Sequence, residues 1–224
     1  MKEVLPKEVM AMRAGKELKD GDVVNLGTGV PMLTRNYLLP GVDVIWHSEN
    51  GAVNFGRLLT QDEEHLKDPD YTTPGGQFFL PMPGTSFVDH VTSFIVIGGG
   101  RLDVTILGGM QVSEKGDLAN WTWDVEGRTG GIGGGMDLVV GARTVIVLMT
   151  HVTKEGKPKL LKKCTFPLTG VKCVDVLITN LGVFDFTDHG VMIREIAPGW
   201  TFEEVQKLTE ARLIPSPDLK EMEL

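Results

Sequence analysis

Short apolar runs that end at glycine constrain the fold of this chain more than any other feature of its sequence. Of the 224 residues, 28 are glycine. The excess over the usual content is clustered, with glycines at positions 27 and 29, 98–100, 108–109, 130–131 and 133–135. Glycine permits tight turns and a close approach of the backbone to a ligand. The clusters therefore predict strand ends at which the backbone approaches a ligand.

The order of the predicted elements indicates an α/β fold. Apolar, β-branched runs predict strands, and capped stretches of helix formers predict helices. We predict strands at 23–27, 43–46, 93–97, 104–107, 144–148, 174–179 and 182–186, and helices at 7–18, after Pro31, after Gly135 and at 202–209 with Thr201 as the N-cap. Interleaved strands and helices predict one domain, residues 1–224, with a central, mainly parallel sheet flanked by helices. Because the later strands follow one another closely, we expect the sheet to be mixed.

Two segments do not fit a regular pattern. Residues 57–87 contain an acidic cluster and several Pro and Gly residues, which predicts a long, irregular excursion over the surface. That excursion is either a variable loop without a role or a lid or wall of a substrate pocket. Residues 215–224 are charged and contain proline, so we expect a frayed tail.

The composition is that of an ordinary globular protein and argues against several classes of function. Hydrophobic residues make up 42% of the chain and charged residues 23%, as in soluble domains. A formal net charge of −8 argues against a nucleic-acid partner. The start of the chain is charged and lacks an apolar leader segment, and no apolar run approaches the roughly 18 residues of a membrane span. We therefore expect a cytoplasmic protein without a nucleic-acid or membrane partner.

Neither the cysteines nor the glycine-rich run predicts a metal or a nucleotide cofactor. Cys164 and Cys173 are too few for a metal site or a disulfide framework, and reduced, buried thiols are the expected state. No two of the five histidines have metal-ligand spacing. The run 131–135 lacks the Lys-Ser/Thr of a P-loop and breaks the dinucleotide fingerprint.

Glu49 is the strongest candidate for a catalytic group. It follows the apolar run 42–46 and precedes Asn50-Gly51, a strong turn signal. In an open α/β sheet, ligands bind in the crevice beyond the carboxyl ends of the strands. A carboxylate held there can act as a base, a metal ligand or a covalent nucleophile. The alternative is a solvated loop glutamate, since Glu is mostly exposed in proteins.

A series of motifs around Glu49 points to one family. The motifs are Ser48-Glu49-Asn50-Gly51, 107–113 (LGGMQVS), 116–121 (GDLANW), 131–137 (GIGGGMD), 164–170 (CTFPLTG) and 183–185 (VFD). In this order and at these spacings, the chain closely resembles the β subunit of family I 3-oxoacid CoA-transferases of the acetate or acetoacetate type. The resemblance extends from the first predicted strand to Gly199, which is most of the chain.

The resemblance implies a ping-pong transfer of CoA through Glu49. The carboxylate would attack the thioester of an acyl-CoA, and the released thiolate would convert the resulting anhydride into a glutamyl-CoA thioester. A second carboxylic acid would then reverse the sequence. A carboxylate suits this task because its anhydride and its thioester are comparable in reactivity to the substrates. By resemblance, the backbone N–H of Gly134, with that of Gly133 next, would stabilise the oxyanions.

The resemblance also implies partners and substrates. It implies a separate CoA-transferase α subunit, which supplies the second oxyanion donor, in an assembly of two α and two β subunits. Acyl-CoA and a short-chain carboxylic or 3-oxo acid would be the substrates, with no further cofactor, on a scaffold like that of sugar-phosphate isomerases. The surface that meets the partner should be an exposed apolar face on this chain.

Further polar residues of the motifs have roles that the sequence leaves open. Asn50 and Gly51 are expected to set the turn that presents the carboxylate. Ser48 either orients the carboxylate or caps the strand end. Gln111 and Asn120 either line the cleft as substrate-binding residues or hydrogen-bond to loop backbone.

Several other residues are assigned structural roles. Neighbouring side chains alternate faces along a strand, so His47 is a poor candidate for a catalytic base. Asp117 and Asp137 are expected to cap helices or turns. Trp121 and Trp123 belong either to a pocket wall or to an interface core.

The segment after Glu49 departs from the family pattern. Family members usually continue with a short glycine-rich stretch and a Gly-Pro-x-Pro turn, whereas residues 52–59 here read AVNFGRLL. By position this segment is near the acyl pocket, so the acyl group is left open. Arg57 either pairs with a second carboxylate of a dicarboxylate substrate or is a solvated cation, and we favour the latter. Alternative functions are an acyl-CoA hydrolase and a non-catalytic ligand-sensing domain on the same scaffold.

Overall fold

The computed structural model describes residues 4–122 and 131–223, apart from the side chain of residue 61. The helices are α1 Lys7–Gly15, α2 Val30–Leu33, α3 His90–Gly98, α4 Gly135–Gly141 and α5 Phe202–Lys207. The strands are β1 Val23–Leu26, β2 Ile45–His47, β3 Ala52–Val53, β4 Ser86–Phe87, β5 Leu102–Gly108, β6 Gln111–Ser113, β7 Leu118–Ala119, β8 Ala142–Leu148, β9 Leu160–Leu161, β10 Val176–Thr179, β11 Gly182–Thr187, β12 Gly190–Ile196 and β13 Leu213–Glu221. Trp123 and Gly130, which the sequence analysis singled out, lie outside the described residues.

A ten-stranded sheet organises the fold. Its order is β13-β12-β11-β10-β8-β5-β1-β2-β3-β4. The strands β10, β8, β5, β1 and β2 run parallel, and antiparallel pairs extend the sheet on both sides. A small second sheet has the order β7-β6-β9. The predicted α/β fold with a mainly parallel, mixed sheet is confirmed.

The central strands are mostly apolar because both of their faces are buried. In β8, Val145 and Val147 belong to one apolar cluster, whereas Ile146 and Leu148 belong to the other. Successive side chains point to opposite faces of a sheet, so the two clusters lie on its two faces. Parallel sheets covered on both faces have such continuous apolar strands, and this is why β8 could be predicted from the sequence.

The predicted strand at 93–97 is wrong, because these residues belong to helix α3. The Asp89 side chain accepts a hydrogen bond from the Thr92 N–H at 2.9 Å and thus caps the helix. Ser93 and Ile97 are buried, whereas Ile95 is exposed, which is the periodicity of a helix. A short apolar run does not by itself distinguish a strand from a helix. Here the N-cap at Asp89 favours the helix.

The expected frayed tail from Pro215 is also wrong. Residues Leu213–Glu221 form the edge strand β13, which pairs in parallel with β12. Proline is tolerated at the edge of a sheet because its missing N–H can face away from the neighbouring strand. Met222 is buried in the core just beyond the strand, and this contact anchors the end of the described chain.

The excursion at 57–87 is largely irregular, as expected, but it is packed rather than loose. It contains the 3-10 helix Gln61–Leu66 and the short strand β4. The rings of Tyr71, Phe79 and Phe87 lie against one another, and Phe55 packs on Phe79 with ring centroids 5.0 Å apart. Aromatic contacts of this kind bury large apolar areas, so this aromatic cluster holds the excursion in place.

Two buried histidines predict that acid destabilises the fold. Burial lowers the pKa of His151 to about 3 and that of His47 to about 4 from the ordinary 6.5. The unfolded chain therefore binds protons below pH 6.5 that the folded chain does not bind. As the pH is lowered through this range, we expect the free energy of unfolding to decrease by about 1.4 kcal/mol per pH unit for each imidazole.

Urea unfolding between about pH 6.5 and about pH 5 measures this slope. The variant His189→Gln is the matched control because His189 is exposed, and its slope should equal that of the unmodified chain. A stability that does not change across this range would contradict the prediction.

Candidate active site

A cleft of about 640 Å³ lies beyond the carboxyl ends of the central parallel strands. Its walls come from the ends of β1, β5 and β8, from the turn after β2 and from the glycine run before α4. The lining residues from these places include Gly27, Thr28, Glu49, Gly108, Gly109, Gly131, Gly133, Gly134, Met149 and Thr150. Ligands of open α/β sheets bind in this position, and glycines from three of the four clusters predicted to mark a ligand-binding edge meet here. The cluster at 98–100 does not line the cleft, because it ends helix α3 and does not follow a strand.

Glu49 occupies the tight turn between β2 and β3. The Gly51 N–H donates to the Ser48 carbonyl oxygen at 2.9 Å and closes the turn. Gly51 has a φ of 112°, and a Cβ at this position would lie 2.0 Å from the Val88 carbonyl oxygen. The turn therefore requires glycine, which is the role expected for Asn50-Gly51.

Ser48 and Asn50 tie this turn together and do not line the cleft. The buried Ser48 hydroxyl donates to Asn50 Oδ1 at 2.7 Å, and Asn50 Nδ2 donates to the Thr72 carbonyl oxygen at 2.7 Å. The second bond connects the turn to the excursion. These side chains hold the loop that presents Glu49, and no contact with the cleft supports direct substrate binding by Ser48, Asn50 or Gly51.

The Glu49 carboxylate lies against the glycine run. The Gly134 backbone N–H donates a hydrogen bond to it. A Cβ built on Gly134 would lie 2.6 Å from Glu49 Oε2, and one on Gly133 would lie 3.5 Å from Oε1. Only glycine thus allows the backbone to approach the carboxylate this closely. The structure brings Glu49, Gly133 and Gly134 together, as the sequence predicted.

Burial controls the charge state of Glu49. Burial raises the pKa of the carboxyl group above its usual value, while the Gly134 hydrogen bond and the nearby His90 lower this pKa and Asp137 raises it further. The His90 ring lies 4.5 Å from the Phe94 ring, and Phe94 in turn contacts the Gly134 position. Helices α3 and α4 therefore both shape the surroundings of the carboxylate.

The close contact at Gly134 predicts a large effect of one methyl group. In Gly134→Ala the new Cβ would collide with Glu49 Oε2 and with Phe94, and the N–H and the carboxylate would be displaced from each other. We expect the catalytic rate constant to fall about 10²–10³-fold, as for the loss of one oxyanion donor. Gly98→Ala is the matched control because its Cβ would meet open space outside the cleft. Equal activity of the two variants would contradict this role of Gly134.

The remaining predicted site residues separate into two groups. Asn120 lines the cleft, where its Oδ1 accepts a hydrogen bond from the Thr169 hydroxyl at 2.6 Å. Gln111 does not line it. Its Oε1 instead accepts the backbone N–H groups of Thr165 and Phe166 at 2.8 and 3.1 Å. The expectation of a substrate-binding Gln111 is corrected to a structural role, because the loop backbone satisfies its amide.

His47 and Asp117 have the structural roles assigned to them. His47 is buried between Asn25 and Ser93. Its Nδ1 lies 3.2 Å from Asn25 Nδ2, and its Nε2 lies 3.1 Å from Ser93 Oγ. It does not line the cleft. Asp117 accepts hydrogen bonds from Ser113 Oγ and the Lys172 N–H and thus stabilises a turn.

Arg57 forms an ion pair with Glu63 on the excursion and does not line the cleft. This agrees with the solvated cation that we favoured. The excursion itself does reach the cleft, because Pro74 forms part of the wall. Pro74 therefore supports the interpretation of residues 57–87 as a wall of the pocket.

Several residues of the cleft were not predicted from the sequence. Lys159, Lys7 and Met10 line it, although none belongs to a recognised motif. Lys159 Nζ donates to the Gly109 carbonyl oxygen at 3.2 Å and to Thr150 Oγ1 at 3.3 Å. No local pattern distinguishes a lysine that folds into a cleft from a solvated one, so the sequence carried no signal for it.

Two kinds of site are absent from the described part of the chain. Among residues 4–122 and 131–223, no group of His, Cys, Asp and Glu is arranged to hold a metal ion. None of the helices described in these ranges has the length and hydrophobicity that crossing a bilayer requires.

The fold and the cleft define an α/β protein with a carboxylate in the crevice beyond its parallel strands. The chain belongs to the coenzyme A transferase family, since the family model "Coenzyme A transferase" matches residues 7–208. It is 42% identical over 214 residues to the beta subunit of the acetate CoA-transferase of Escherichia coli K12, and the match covers 95% of each chain. It is 43% identical over 210 residues to one subunit of the 3-oxoadipate CoA-transferase of Pseudomonas putida, covering 94% of this chain and 97% of that one. The predicted family is confirmed, and with it an enzyme of the CoA-transferase class.

Solved structures support the fold. An acyl-CoA transferase from Escherichia coli O157:H7 superposes with a TM-score of 0.75 at 22% identity, and the match covers 100% of this chain and 45% of that one. The glutaconate coenzyme A-transferase of Acidaminococcus fermentans gives a TM-score of 0.66 at 18% identity over 97% of this chain and 88% of that one. A decarboxylase, AibA/AibB, has a TM-score of 0.68 at 17% identity over 99% of this chain and 90% of that one, so the fold alone does not determine the reaction.

Proposed function

We propose that this chain is the catalytic β subunit of a CoA-transferase and that Glu49 is its covalent nucleophile. The observation that carries the proposal is the half-buried Glu49 carboxylate in the cleft, in contact with the N–H of Gly134. A carboxylate is the side chain that can accept CoA and return it without loss of the thioester's free energy. Identities of 42–43% to CoA-transferase subunits support the same chemistry.

The reaction proceeds through two carbonyl centres. A Glu49 oxygen attacks the acyl-CoA carbonyl, the C–S bond breaks, and CoA leaves as the thiolate with an acyl-glutamyl anhydride in place. The thiolate then attacks the Glu49 carbonyl carbon, the donor acid leaves as its carboxylate, and glutamyl-CoA remains. The acceptor acid reverses both steps and leaves with CoA. No proton, electron or metal is consumed in this sequence.

Each addition places negative charge on a carbonyl oxygen. The Gly134 N–H, with Gly133 beside it, is the donor on this chain that we assign to that oxygen, since it already contacts the reacting carboxylate. Donors that are aimed before the reaction contribute most in a site shielded from water. The second donor is assigned to the partner subunit.

The surface next to Glu49 supports a separate α subunit as this partner. Val91 and Ile95 of α3 are each 67% exposed, and Met136 and Val140 of α4 are 47% and 84% exposed. The spacing of four residues in each helix aligns these side chains on one face, and the two helices pack together beside the Glu49 carboxylate. An apolar face of this kind is typical of an interface. We place the α subunit there, in an assembly of two α and two β subunits.

The substrates are proposed to be acyl-CoA thioesters and short-chain carboxylic or 3-oxo acids, with CoA as a substrate rather than a cofactor. Pro74 of the excursion forms part of the cleft wall, and Asn50 connects the excursion to the Glu49 turn. The departure from the family pattern, at residues 52–59, leads into this excursion. We therefore assign it to the acyl pocket.

Two-substrate kinetics test this mechanism. Initial rates of the α/β complex, measured against acyl-CoA at several fixed acid concentrations, should give parallel lines in double-reciprocal plots, since the first product leaves before the acid binds. Intersecting lines would contradict a covalent intermediate. CoA release at the same rate without any acid would instead identify a hydrolase.

The raised pKa of Glu49 predicts the acid limb of the rate profile. Only the ionised carboxylate attacks, so kcat/KM should fall as the pH drops through this pKa, at a pH above the ordinary glutamate value of 4.5. Reassay after return to neutral pH separates protonation of Glu49 from acid unfolding. A rate that stays constant down to the ordinary glutamate pKa would contradict the burial of the reacting carboxylate.

A further inference from the structure

Lys159 brings a positive charge into the cleft that no carboxylate balances. Its Nζ donates to the Gly109 carbonyl oxygen and to the Thr150 hydroxyl. Within residues 4–122 and 131–223, no ion pair links it to an acidic side chain. An ammonium carries three donors, so two neutral acceptors leave one donor for a ligand.

The surroundings of this ammonium make an anionic ligand favourable. Burial, and after it the charge of Lys7, lowers the pKa of Lys159 to about 8. Both lysines line the same cleft. Loss of hydration and repulsion by a second cation destabilise the charged form of a half-buried ammonium. A bound anion offsets both effects. The two lysines therefore form a positive region in a chain whose net charge is −8.

The strand order sets the distance from this region to the nucleophile. Glu49 follows β2, whereas Gly109 and Thr150 follow β5 and β8, and the order of these strands in the sheet is β8-β5-β1-β2. Neighbouring strands lie about 4.8 Å apart, which separates the strand ends that hold the Lys159 ammonium from the end of β2 by roughly 10–15 Å. A substrate joined to Glu49 must extend along the cleft to reach it.

We propose that Lys159, assisted by Lys7, binds an anionic group of the substrate whose thioester carbonyl reacts at Glu49. This proposal rests on the proposed function, since it takes Glu49 as the reacting end of the cleft. The ligand chemistry is a carboxylate or a phosphate, which two parts of the substrates supply. One is the distal carboxylate of a dicarboxylic acyl group, and the other is a phosphate of CoA.

Equilibrium binding separates these two sources. Ligand binding is measured by isothermal titration calorimetry on two α/β complexes that both carry Glu49→Ala. One also carries Lys159→Met, and the other carries the control Lys157→Met, because the Lys157 side chain is exposed outside the cleft. The ligand pairs are CoA with pantetheine, which lacks the phosphates, and glutarate with butyrate, which lacks the second carboxylate. Because the nucleophile is absent from both complexes, failure of covalent catalysis at Glu49 leaves this test intact.

We expect Lys159→Met to weaken the binding of CoA or of glutarate at least about tenfold, and to change the binding of the counterpart that lacks the phosphates or the second carboxylate less than about twofold. Weakening of CoA alone assigns the site to a phosphate, and weakening of glutarate alone assigns it to a carboxylate. Lys159→Arg keeps the charge and should retain most of the affinity, which separates loss of the cation from a folding defect.

Three results would overturn the proposal. In the first, all the ligands bind the Lys159→Met and Lys157→Met complexes equally. In the second, both members of each ligand pair weaken together, which would mean that Lys159 only holds the Gly109 turn. In the third, neither CoA nor glutarate binds the Lys157→Met control measurably.

Discussion

Glu49→Gln is expected to lower the rate of CoA transfer by the α/β complex about 10³-fold or more. An amide oxygen can still accept the hydrogen bond from Gly134, so the turn and the cleft should persist. The amide is a far weaker nucleophile and cannot form the anhydride, so the covalent route is lost. Initial rates with acetoacetyl-CoA and acetate measure the effect.

The control for this prediction is Glu64→Gln, at an exposed glutamate on the excursion, which should keep nearly full activity. Thermal midpoints of both complexes should match that of the unmodified complex. If Glu49→Gln retained more than about a tenth of the activity, Glu49 would be a binding or structural residue and not the nucleophile.

Arg13→Met is expected to cause the largest loss of stability among the substitutions considered. Arg13 forms a two-point ion pair with Glu195, with Nε–Oε2 and Nη2–Oε1 distances of 2.7 Å each. Its Nη1 also donates to Glu17 at 2.6 Å. Arg13 and Glu195 are 5% and 4% exposed, so the variant leaves a buried carboxylate without its cation. Such a loss costs about 3–5 kcal/mol.

A thermal unfolding midpoint lowered by about 10 °C corresponds to a loss of this size in a domain of this length. Arg143→Met is the matched control because the Arg143–Asp103 pair is largely exposed, and its loss should change the free energy of unfolding by less than about 1 kcal/mol. The double variant Arg13→Met/Glu195→Leu should recover much of the stability, since it removes the unpaired charge. A change below about 1 kcal/mol in Arg13→Met would show that the pair does not stabilise the fold.

The sequence predicted those parts of the fold in which local pattern and burial agree. The strands β1, β5, β8 and β10 are mostly apolar because both faces of the sheet are covered, and each was predicted close to its observed bounds. Helix α3 was missed because its apolar run has the composition of a strand, and its cap at Asp89 was not taken into account. Strand β13 was missed because pairing with β12, a contact distant along the chain, outweighs its prolines.

The residues of the site also divide into those that a local pattern predicts and those that depend on distant contacts. Glu49 and the Gly133-Gly134 pair could be predicted because a turn signal and a family motif fix them within short segments. Gln111 was assigned to the cleft from its motif, but hydrogen bonds to the loop at 165–166 occupy its amide. Lys159 enters the cleft only because β9 returns beside β6, which no local pattern encodes. The sequence therefore did not predict contacts between elements that are distant along the chain.

Trapping the intermediate tests the central claim most directly. The α/β complex is incubated with acetoacetyl-CoA without an acceptor acid, its intact mass is measured, and a borohydride-treated sample is mapped by peptide. The proposed mechanism predicts a mass increase of one CoA less one water on this chain. It also predicts reduction confined to the peptide that carries Glu49, with neither change in Glu49→Gln. An unmodified chain in a complex that transfers CoA once an acceptor acid is added, or a modification on another peptide, would contradict a covalent role of Glu49.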